Sequence, residues 1–271
     1  MPPEPSLIEG YDHYPRIESA FQAALDESLN PRGPELLYEI VGTLGLPPKA
    51  DSLDLGCGEG WHSIELTKRF GFRVEGIDPV PRHIEVSKQR LEGAAQSNPE
   101  VRDLVNFRLG TAEGLPLLDA SIDLIWCREV LVLIDDLDSV FAECLRVLRP
   151  GGRMLIYQNC STDRLEPREA MLLGALGRFD PGRMEVALRS AGFDLEDFIE
   201  LGGEIGEHIE EETGEAGRRL RHAARLLRAP ERYVERFGQR AYDIMLADCF
   251  WHVYRMIGKL SGRIYLLRTP A

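Results

Sequence analysis

Apolar residues recur at helical spacing near the start of the chain, and the pattern then changes to one typical of a sheet. Ile17, Phe21 and Leu25 mark one helical face, and the apolar positions within 36–44 mark a second. From residue 50 onward, short apolar runs alternate with helical ones, which indicates βαβ units and a parallel sheet. The expected strands cover residues 52–55, 73–77, 105–109, 122–126, 153–157, 195–199 and 263–267.

The helices of the second half have recognisable ends. A helix over 137–148 begins beside Asp135 or Asp136, either of which can cap it, and Pro150 with two glycines stops it. A long helical stretch over 205–258 is inserted before the last strand. The pattern therefore predicts one sheet-centred domain with helical additions at the N-terminus and before the final strand.

Composition and charge narrow the possible partners. The 271 residues carry 45 Asp and Glu against 32 Lys and Arg, a formal charge of −13. Nucleic-acid phosphates require a basic surface, so this charge argues against a nucleic-acid partner. No apolar run approaches the roughly 20 residues that cross a bilayer, and the first residues lack a signal-peptide pattern, so we expect a cytoplasmic protein. The five scattered cysteines include no CxxC pair, which favours reduced thiols and no metal site.

Three alternating glycines follow the first expected strand and carry the clearest chemical signal. Gly56, Gly58 and Gly60 lead from the strand into a helix. Such glycines let the backbone approach a ligand, and the helix N-terminus offers unpaired N–H groups, so a nucleotide-type cofactor is expected. A dinucleotide fingerprint would need glycine where Trp61 stands, which argues against a nicotinamide cofactor.

Further segments follow in a consistent order. Val74–Asp78 ends a strand in an acid, Gly110–Pro116 follows the next strand, and the segments 120–126 and 148–153 match a fourth strand and the turn into a fifth. Together with the glycine loop, they resemble the class I S-adenosylmethionine-dependent methyltransferases over residues 50–157. The likeness is strongest to the small-molecule subgroup typified by ubiquinone and sterol biosynthesis enzymes.

This resemblance implies an α/β fold with a definite architecture. We expect a Rossmann-like, mostly parallel seven-stranded sheet with helices on both faces. Residues 1–48 would then be an N-terminal helical cap or lid, and 49–201 with 262–271 the S-adenosylmethionine-binding domain. Residues 202–261 would be a helical insertion that serves as a substrate cap or a dimer contact, so a homodimer is a possible assembly.

The resemblance also implies the cofactor site. Asp78 would accept both ribose hydroxyls, since a carboxylate has two acceptor oxygens and no donor; the alternative is that it only caps the next helix. Thr111 stands where the family usually has Asp. Cys127 would line the methionine portion, or else fill the core. The full set implied is Asp54, Gly56, Cys57, Gly58, Gly60, Asp78, Pro79, His83, Thr111, Ala112, Glu113, Cys127 and Arg128.

The catalytic side is less specific. Methyl transfer depends mainly on positioning and water exclusion, so a general base is optional. Val132 and Leu133 stand where relatives often carry His, which leaves Glu129 as the acid of that segment. His252 is a second candidate and lies, with Met245 and Met256, on an apolar helical face that either packs in the core or holds an apolar acceptor. Tyr14, expected just before the first helix, is a candidate lid residue.

Two classes of function follow from these observations. The first is transfer of a methyl group from S-adenosylmethionine to an O, N or C atom of a small, largely apolar metabolite. The second is a catalytically inactive protein of the same fold that binds the cofactor in a regulatory or scaffold role. A nicotinamide oxidoreductase is a third, weaker reading.

Overall fold

The computed structural model describes residues 7–270, which form a seven-stranded sheet in the order β3-β2-β1-β4-β5-β7-β6. β7 runs antiparallel to both of its neighbours, and every other neighbouring pair is parallel. The Rossmann-like expectation is confirmed. The strands are β1 Asp51–Leu55, β2 Arg73–Asp78, β3 Val105–Leu109, β4 Ile122–Arg128, β5 Leu148–Ser161, β6 Asp194–Gly202 and β7 Leu260–Arg268.

Helices cover both faces of this sheet and fill the segments around it. Asp136 caps the sixth of them, where its carboxylate accepts from the backbone N–H of Ser139 at 3.0 Å. The helices are α1 Leu7–Leu25, α2 Glu35–Thr43, α3 Trp61–Phe70, α4 Pro81–Ser97, α5 Val101–Leu104, α6 Leu137–Val147, α7 Pro167–Leu173, α8 Pro181–Ala191, α9 Glu204–Thr213, α10 Glu215–Arg228, α11 Pro230–Phe237 and α12 Gln239–Met256.

The two sides of the sheet bury different clusters. On one side Ile125 and Cys127 of β4 pack among the apolar residues of α6, and on the other Leu124 and Trp126 pack with α2. This alternation is what a fully covered strand requires. It also fixes which side chains at the end of β4 point to each side. All five cysteines are free and buried.

Three expectations from the sequence need correction. Tyr14 lies within α1 rather than before it, because residues 12–16 are exposed and an exposed turn leaves no apolar spacing to read. β5 continues past residue 157 to Ser161, since it stays paired with β7 throughout. The stretch 205–258 is four helices, not one, because Gly214, the Ala229–Pro230 step and Gly238 interrupt it.

The four helices of this insertion, α9–α12, lie between two neighbouring strands. Gly202 at the end of β6 is paired with Gly262 near the start of β7. The chain therefore leaves the sheet and rejoins it at facing residues.

Of the described residues, 32–270 form one compact unit and 7–31 form a separate one. Tyr14, in the smaller unit, is 59% exposed, and its hydroxyl donates to Glu18 of the same helix at 3.2 Å. None of the helices within residues 7–270 is both long and apolar enough to cross a membrane.

Candidate active site at the carboxyl edge of the sheet

The loops after β1, β2 and β3 meet at one edge of the sheet. The backbone N–H groups of Gly56 and Cys57 donate to the carbonyl of Ile77 at 2.8 and 3.0 Å. The N–H of Gly110 donates to the carbonyl of Asp78 at 3.2 Å. Ligands of open α/β sheets bind in the crevice at this edge, so the fold gathers the predicted residues where a ligand is expected.

The three glycines of the loop after β1 have different structural roles. A Cβ on Gly56 would collide with Val130, and one on Gly60 would overlap the ring of Phe107. Gly58 has a φ of +52°, and a Cβ there would meet open space. Gly56 and Gly60 therefore serve close packing, whereas Gly58 leaves the loop backbone open to a ligand.

Asp78 is fixed by neighbouring backbone. Its carboxylate accepts from the N–H of Gly58 and the N–H of Val80, both at 2.9 Å, and it is buried. Nδ1 of His83 lies 3.0 Å from Oδ1 of the same group. Oδ2 keeps an acceptor position beyond its bond from Gly58. The carboxylate is thus held rigidly with acceptor capacity to spare, and His83 contacts this acid.

Asp54 is a buried acid in the middle of the sheet. Its Oδ2 accepts from the hydroxyl of Ser63 at 2.5 Å. Burial raises the pKa of its carboxyl to about 6, and the charge of Asp78 adds to the rise while Arg128 opposes it. A carboxylate kept partly charged in so dry a place is available to pair with a cation.

Arg128 ends β4 beside this acid. Its guanidinium lies over the ring of Tyr157, with its carbon 5.5 Å from the ring centroid. Its buried Nε has no hydrogen-bond partner among residues 7–270. An unpaired guanidinium N–H next to a buried carboxylate suits a ligand that carries both charges.

His62, which the sequence reading overlooked, lies beside Arg128. Its Nδ1 is 2.6 Å from the hydroxyl of Tyr38, and its ring packs on Trp126 with centroids 5.5 Å apart. Burial lowers the pKa of His62 to about 4, so the ring is neutral. Its place directly after the glycine loop, two residues beyond Gly60, was the available signal.

Glu129 follows β4 in an uncommon conformation. Its φ of +59° places a non-glycine residue in the left-handed region. The carboxylate accepts from the backbone N–H of Asn159 at 3.1 Å, from the Asn159 side-chain amide, and from Nε2 of Gln158 at 3.0 Å. Burial raises the pKa of Glu129, against the charges of Arg128 and Arg255. Gln158 and Asn159 were missed because the expected strand ended before them.

The remaining cofactor-side predictions divide by exposure. Pro79, Thr111 and Glu113 are exposed at the loop edge. Cys57 and Cys127 are buried, and burial raises the pKa of both thiols. Ala112 packs in the core. At Cys57, therefore, the loop presents its backbone to a ligand and not its side chain. Cys127 lies in the core beneath α6, which is the second of the two alternatives given for it above.

The predicted residues of α12 are spread along the helix. His252 lies 3.5 Å from Glu215 and 3.7 Å from Asp248, and burial lowers its pKa. Met245 is 43% exposed and lines an apolar cavity of about 530 Å³ with residues of α10 and α11. Met256 packs against α9, where a Cβ on Gly206 would lie 2.6 Å from its backbone nitrogen. His252 and Met256 lie about one turn apart on α12, whereas Met245 lies about two turns before His252.

No group of His, Cys, Asp or Glu in the described part of the chain is arranged to hold a metal ion.

A family model for a methyltransferase domain matches residues 53–156. The methyltransferase GfsG of Streptomyces halstedii is 38% identical over 124 residues, which make up 46% of this chain and 43% of that protein. The chain thus spans less than half the length of this relative.

Two solved structures have a similar fold. The (4+2)-cyclase SpnF superposes with a TM-score of 0.68 at 17% identity, over 99% of this chain and 98% of that one. Phosphoethanolamine N-methyltransferase 2 of Haemonchus contortus, in complex with S-adenosyl-L-methionine, superposes with a TM-score of 0.62 at 19% identity, over 91% of this chain and 55% of that one. At this level of identity the similarity concerns the fold.

Proposed function

We propose that this chain, whose residues 53–156 match a family model for a methyltransferase domain, is a class I S-adenosylmethionine-dependent methyltransferase that methylates an O, N or C atom of a small, largely apolar metabolite. In this proposal, residues 49–201 together with 262–271 form the domain that binds the cofactor. The segment 1–48 is the cap or lid that carries Tyr14, and 202–261 covers the acceptor or contacts a second copy.

The residues at the sheet edge fit the cofactor. In the proposal, the ribose hydroxyls donate to Asp78 and the open backbone at Gly58 lies under the nucleoside. The amino group of the cofactor's methionine portion pairs with Asp54, and the carboxylate of that methionine portion pairs with Arg128. The unpartnered Nε of Arg128 and the open space at Gly58 are the observations that support this fit.

The loops after β2 and β3 supply the adenine side of the proposed site. Pro79 and His83 follow β2, and Thr111, Ala112 and Glu113 follow β3, next to Asp78 through the bond from Gly110. The ring of His83 supports Asp78 and borders the base. Threonine at 111 offers one hydroxyl where a carboxylate is usual, so this contact is weaker than in relatives with Asp.

When bound, the cofactor supplies a methyl group activated by its sulfonium. The chain's part is to hold the acceptor in line with that methyl group, exclude water and accept the acceptor's proton where it has one. Glu129 is the proposed proton acceptor, because its raised pKa suits a base and because Gln158 and Asn159 hold its carboxylate in one position. His252, Met245 and Met256 are the proposed acceptor-side residues of α12.

One observation carries this proposal: a rigidly held buried carboxylate, Asp78, beside an open glycine backbone. Incubation of the protein with cofactor labelled in its methyl group and a panel of small phenols, amines and carboxylic acids tests it. We expect label in at least one extractable product and micromolar binding of S-adenosylhomocysteine by calorimetry. Absence of that binding would overturn the proposal.

A second candidate is a protein that binds the cofactor without methyl transfer. SpnF, a protein of similar fold, is described as a cyclase, so the fold alone does not fix the reaction. Valine and leucine at 132 and 133, where many relatives have histidine, also favour this alternative. Tight binding of S-adenosylhomocysteine with no labelled product across the panel would support it.

A further inference from the structure

Arg255, in the last turn of α12, is a buried cation that makes no direct ion pair with any residue in 7–270. The residue is only 6% exposed, and the Nε and Nη2 atoms of its side chain have no hydrogen-bond partner among the residues that the structure describes. Its guanidinium stacks over the ring of Trp251, with its carbon 4.4 Å from the ring centroid. A buried charge left unpaired is costly, so the arrangement calls for a partner.

Stacking on Trp251 does not satisfy the Nε and Nη2 donors of Arg255. The ring occupies the face of the planar guanidinium, whereas all the N–H groups of a guanidinium lie in its plane. The two orphaned nitrogens, Nε and Nη2, share one edge and together form the two-pronged donor that matches the oxygens of a carboxylate or phosphate.

The same edge binds carboxylates elsewhere in this chain. Nε and Nη2 of Arg32 donate to the two oxygens of Glu204 at 2.7 and 2.6 Å. Nε and Nη2 of Arg146 donate to Glu143, both at 2.7 Å. Arg255 presents this same pair of donors with no protein oxygen to accept from them.

The neighbourhood of Arg255 is the acceptor side of the proposed active site. Its charge acts on Glu129 and on Tyr157, where it opposes the rise in pKa that burial causes in each. It makes no direct ion pair with Glu129, which is held instead by Gln158 and Asn159. The end of α12 is kept in place by α9, because Gly206 allows the two backbones to touch.

We propose that the Nε and Nη2 edge of Arg255 binds an anionic oxygen pair, a carboxylate or a phosphate, on the methyl acceptor. This rests on the proposed function and makes it more specific: the acceptor has an apolar body with one anionic group, which Arg255 holds while Glu129 faces the group to be methylated. The methionine carboxylate of the cofactor belongs to Arg128, beside Asp54, and not to Arg255.

Calorimetry with simple aromatic probes tests the proposal on the full chain saturated with S-adenosylhomocysteine. The probes are benzoate, phenyl phosphate and the uncharged benzyl alcohol. We expect one or both anions to bind at least about tenfold more tightly than benzyl alcohol, and Arg255→Gln to abolish that preference. Arg255→Lys, which keeps the charge but loses the two-pronged donor, should retain part of it. Benzoate and phenyl phosphate distinguish a carboxylate acceptor from a phosphorylated one.

Two controls separate ligand binding from a structural role. Arg219→Gln removes an arginine of α10 that pairs with Asp248 at 2.7 Å, and it should leave the anion preference intact. The melting temperature of ligand-free Arg255→Gln should equal or exceed that of the native chain, because an uncompensated buried charge is removed. A clearly lower melting temperature would assign Arg255 to the fold and contradict the proposal.

The remaining outcomes are also decisive. Equal binding of anions and benzyl alcohol, or an anion preference that survives Arg255→Gln, overturns the proposal. A loss of S-adenosylhomocysteine affinity in Arg255→Gln overturns it too, since Arg255 would then serve the cofactor. If the native chain does not bind S-adenosylhomocysteine at all, the proposed function fails instead, and the anion preference is measured on the ligand-free chain.

Discussion

The proposed cofactor side and the proposed acceptor side of this molecule are built by different means. On the proposed cofactor side, Gly58 lies in the short loop after β1, Asp78 is the last residue of β2, and a backbone N–H of the loop donates to the Asp78 carboxylate. On the acceptor side, Glu129 is held by Gln158 and Asn159 of another strand, and Arg255 arrives from the insertion. The first side is made of local segments, and the second is made of contacts between distant ones.

This difference separates what is general from what is specific. A nucleoside presents the same hydroxyls and ring in every enzyme that uses it, so a fixed loop and one acid can serve them all. An acceptor differs from enzyme to enzyme, and side chains such as Glu129 and Arg255 can change without disturbing the loops. Substitutions on each side should therefore affect cofactor binding and methyl transfer separately.

The largest effect is expected on the acceptor side. Glu129→Gln keeps the size of the side chain but removes the proton acceptor, so kcat should fall by about two orders of magnitude with little change in S-adenosylhomocysteine affinity. In the native enzyme kcat/KM should rise with pH through the raised pKa of Glu129. Stopped assays across pH 5 to about 9 on both proteins measure this.

Glu143→Gln is the matched control for that experiment. Glu143 also accepts from a backbone N–H, that of Leu115 at 2.8 Å, and from a neighbouring side chain, but it lies on α6. It should leave kcat and its pH profile unchanged. A pH-dependent limb that persists in Glu129→Gln would show that another group takes the proton.

The next effect is expected on the cofactor side. Asp78→Ala removes the acceptor for two hydroxyls, at about 1.5 kcal/mol each, so the Kd for S-adenosylhomocysteine should rise roughly a hundredfold. Asp51→Ala, at the opposite end of the sheet, is the control and should bind normally. Calorimetry at fixed pH measures both, and native-like binding by Asp78→Ala would remove the basis of the proposed cofactor site.

The glycine loop gives a smaller and more selective effect. Gly58→Val and Gly192→Val both place a branched side chain at a positive φ with open space around it, so each should lose about 1 to 2 kcal/mol of stability. Only Gly58→Val should also lose cofactor affinity, by about tenfold. Urea unfolding and calorimetry on the two variants measure this; equal affinities would show that the loop does not contact the ligand.

Asp54 should give opposite effects on stability and binding. Its pKa of about 6 lies above that of an unfolded aspartate, so ionisation costs native stability above pH 6 and costs nothing below about pH 4. Asp54→Asn should therefore stabilise the ligand-free chain by about 3 kcal/mol at pH 8 and by nothing at pH 4. It should also weaken S-adenosylhomocysteine binding several-fold.

The pH dependence of binding supplies the check on Asp54. In the native chain, affinity should fall as pH drops through about 6, because the acid that pairs with the amino group becomes protonated. Asp54→Asn should show a flat profile over the same range. A native profile that is already flat would place the amino group elsewhere.

The smallest effect is expected at His252. Its ring is neutral because burial lowers its pKa, and it lies among Glu215 and Asp248 of the insertion. His252→Gln should change kcat by less than about threefold, since Glu129 is the proposed base. Single-turnover assays measure this, and a loss beyond about tenfold would make His252 the proton acceptor instead.

The same contrast between local segments and distant contacts decides which parts of the fold and of the candidate site can be predicted from the sequence. The sheet and the glycine loop were predicted from spacing within a few residues, and the acids at 54 and 78 were implied by a family resemblance that rests on equally short motifs. Gln158 and Asn159 were not, because the length of β5 depends on pairing with β7, which lies a hundred residues away. Arg255 carried no local signal either, because what sets it apart is a missing partner, which only the packed chain reveals.

The pairing of Gly202 with Gly262 makes β6 and β7 a hairpin whose connecting loop is an entire helical subdomain. Because the two ends of that subdomain are a pair of facing residues in neighbouring strands, its length and sequence can change while the register of the hairpin stays the same. If the insertion covers the acceptor, as proposed, then replacing the segment between these two glycines with the equivalent segment of a related methyltransferase should change the acceptor preference and leave the nucleoside site as it is.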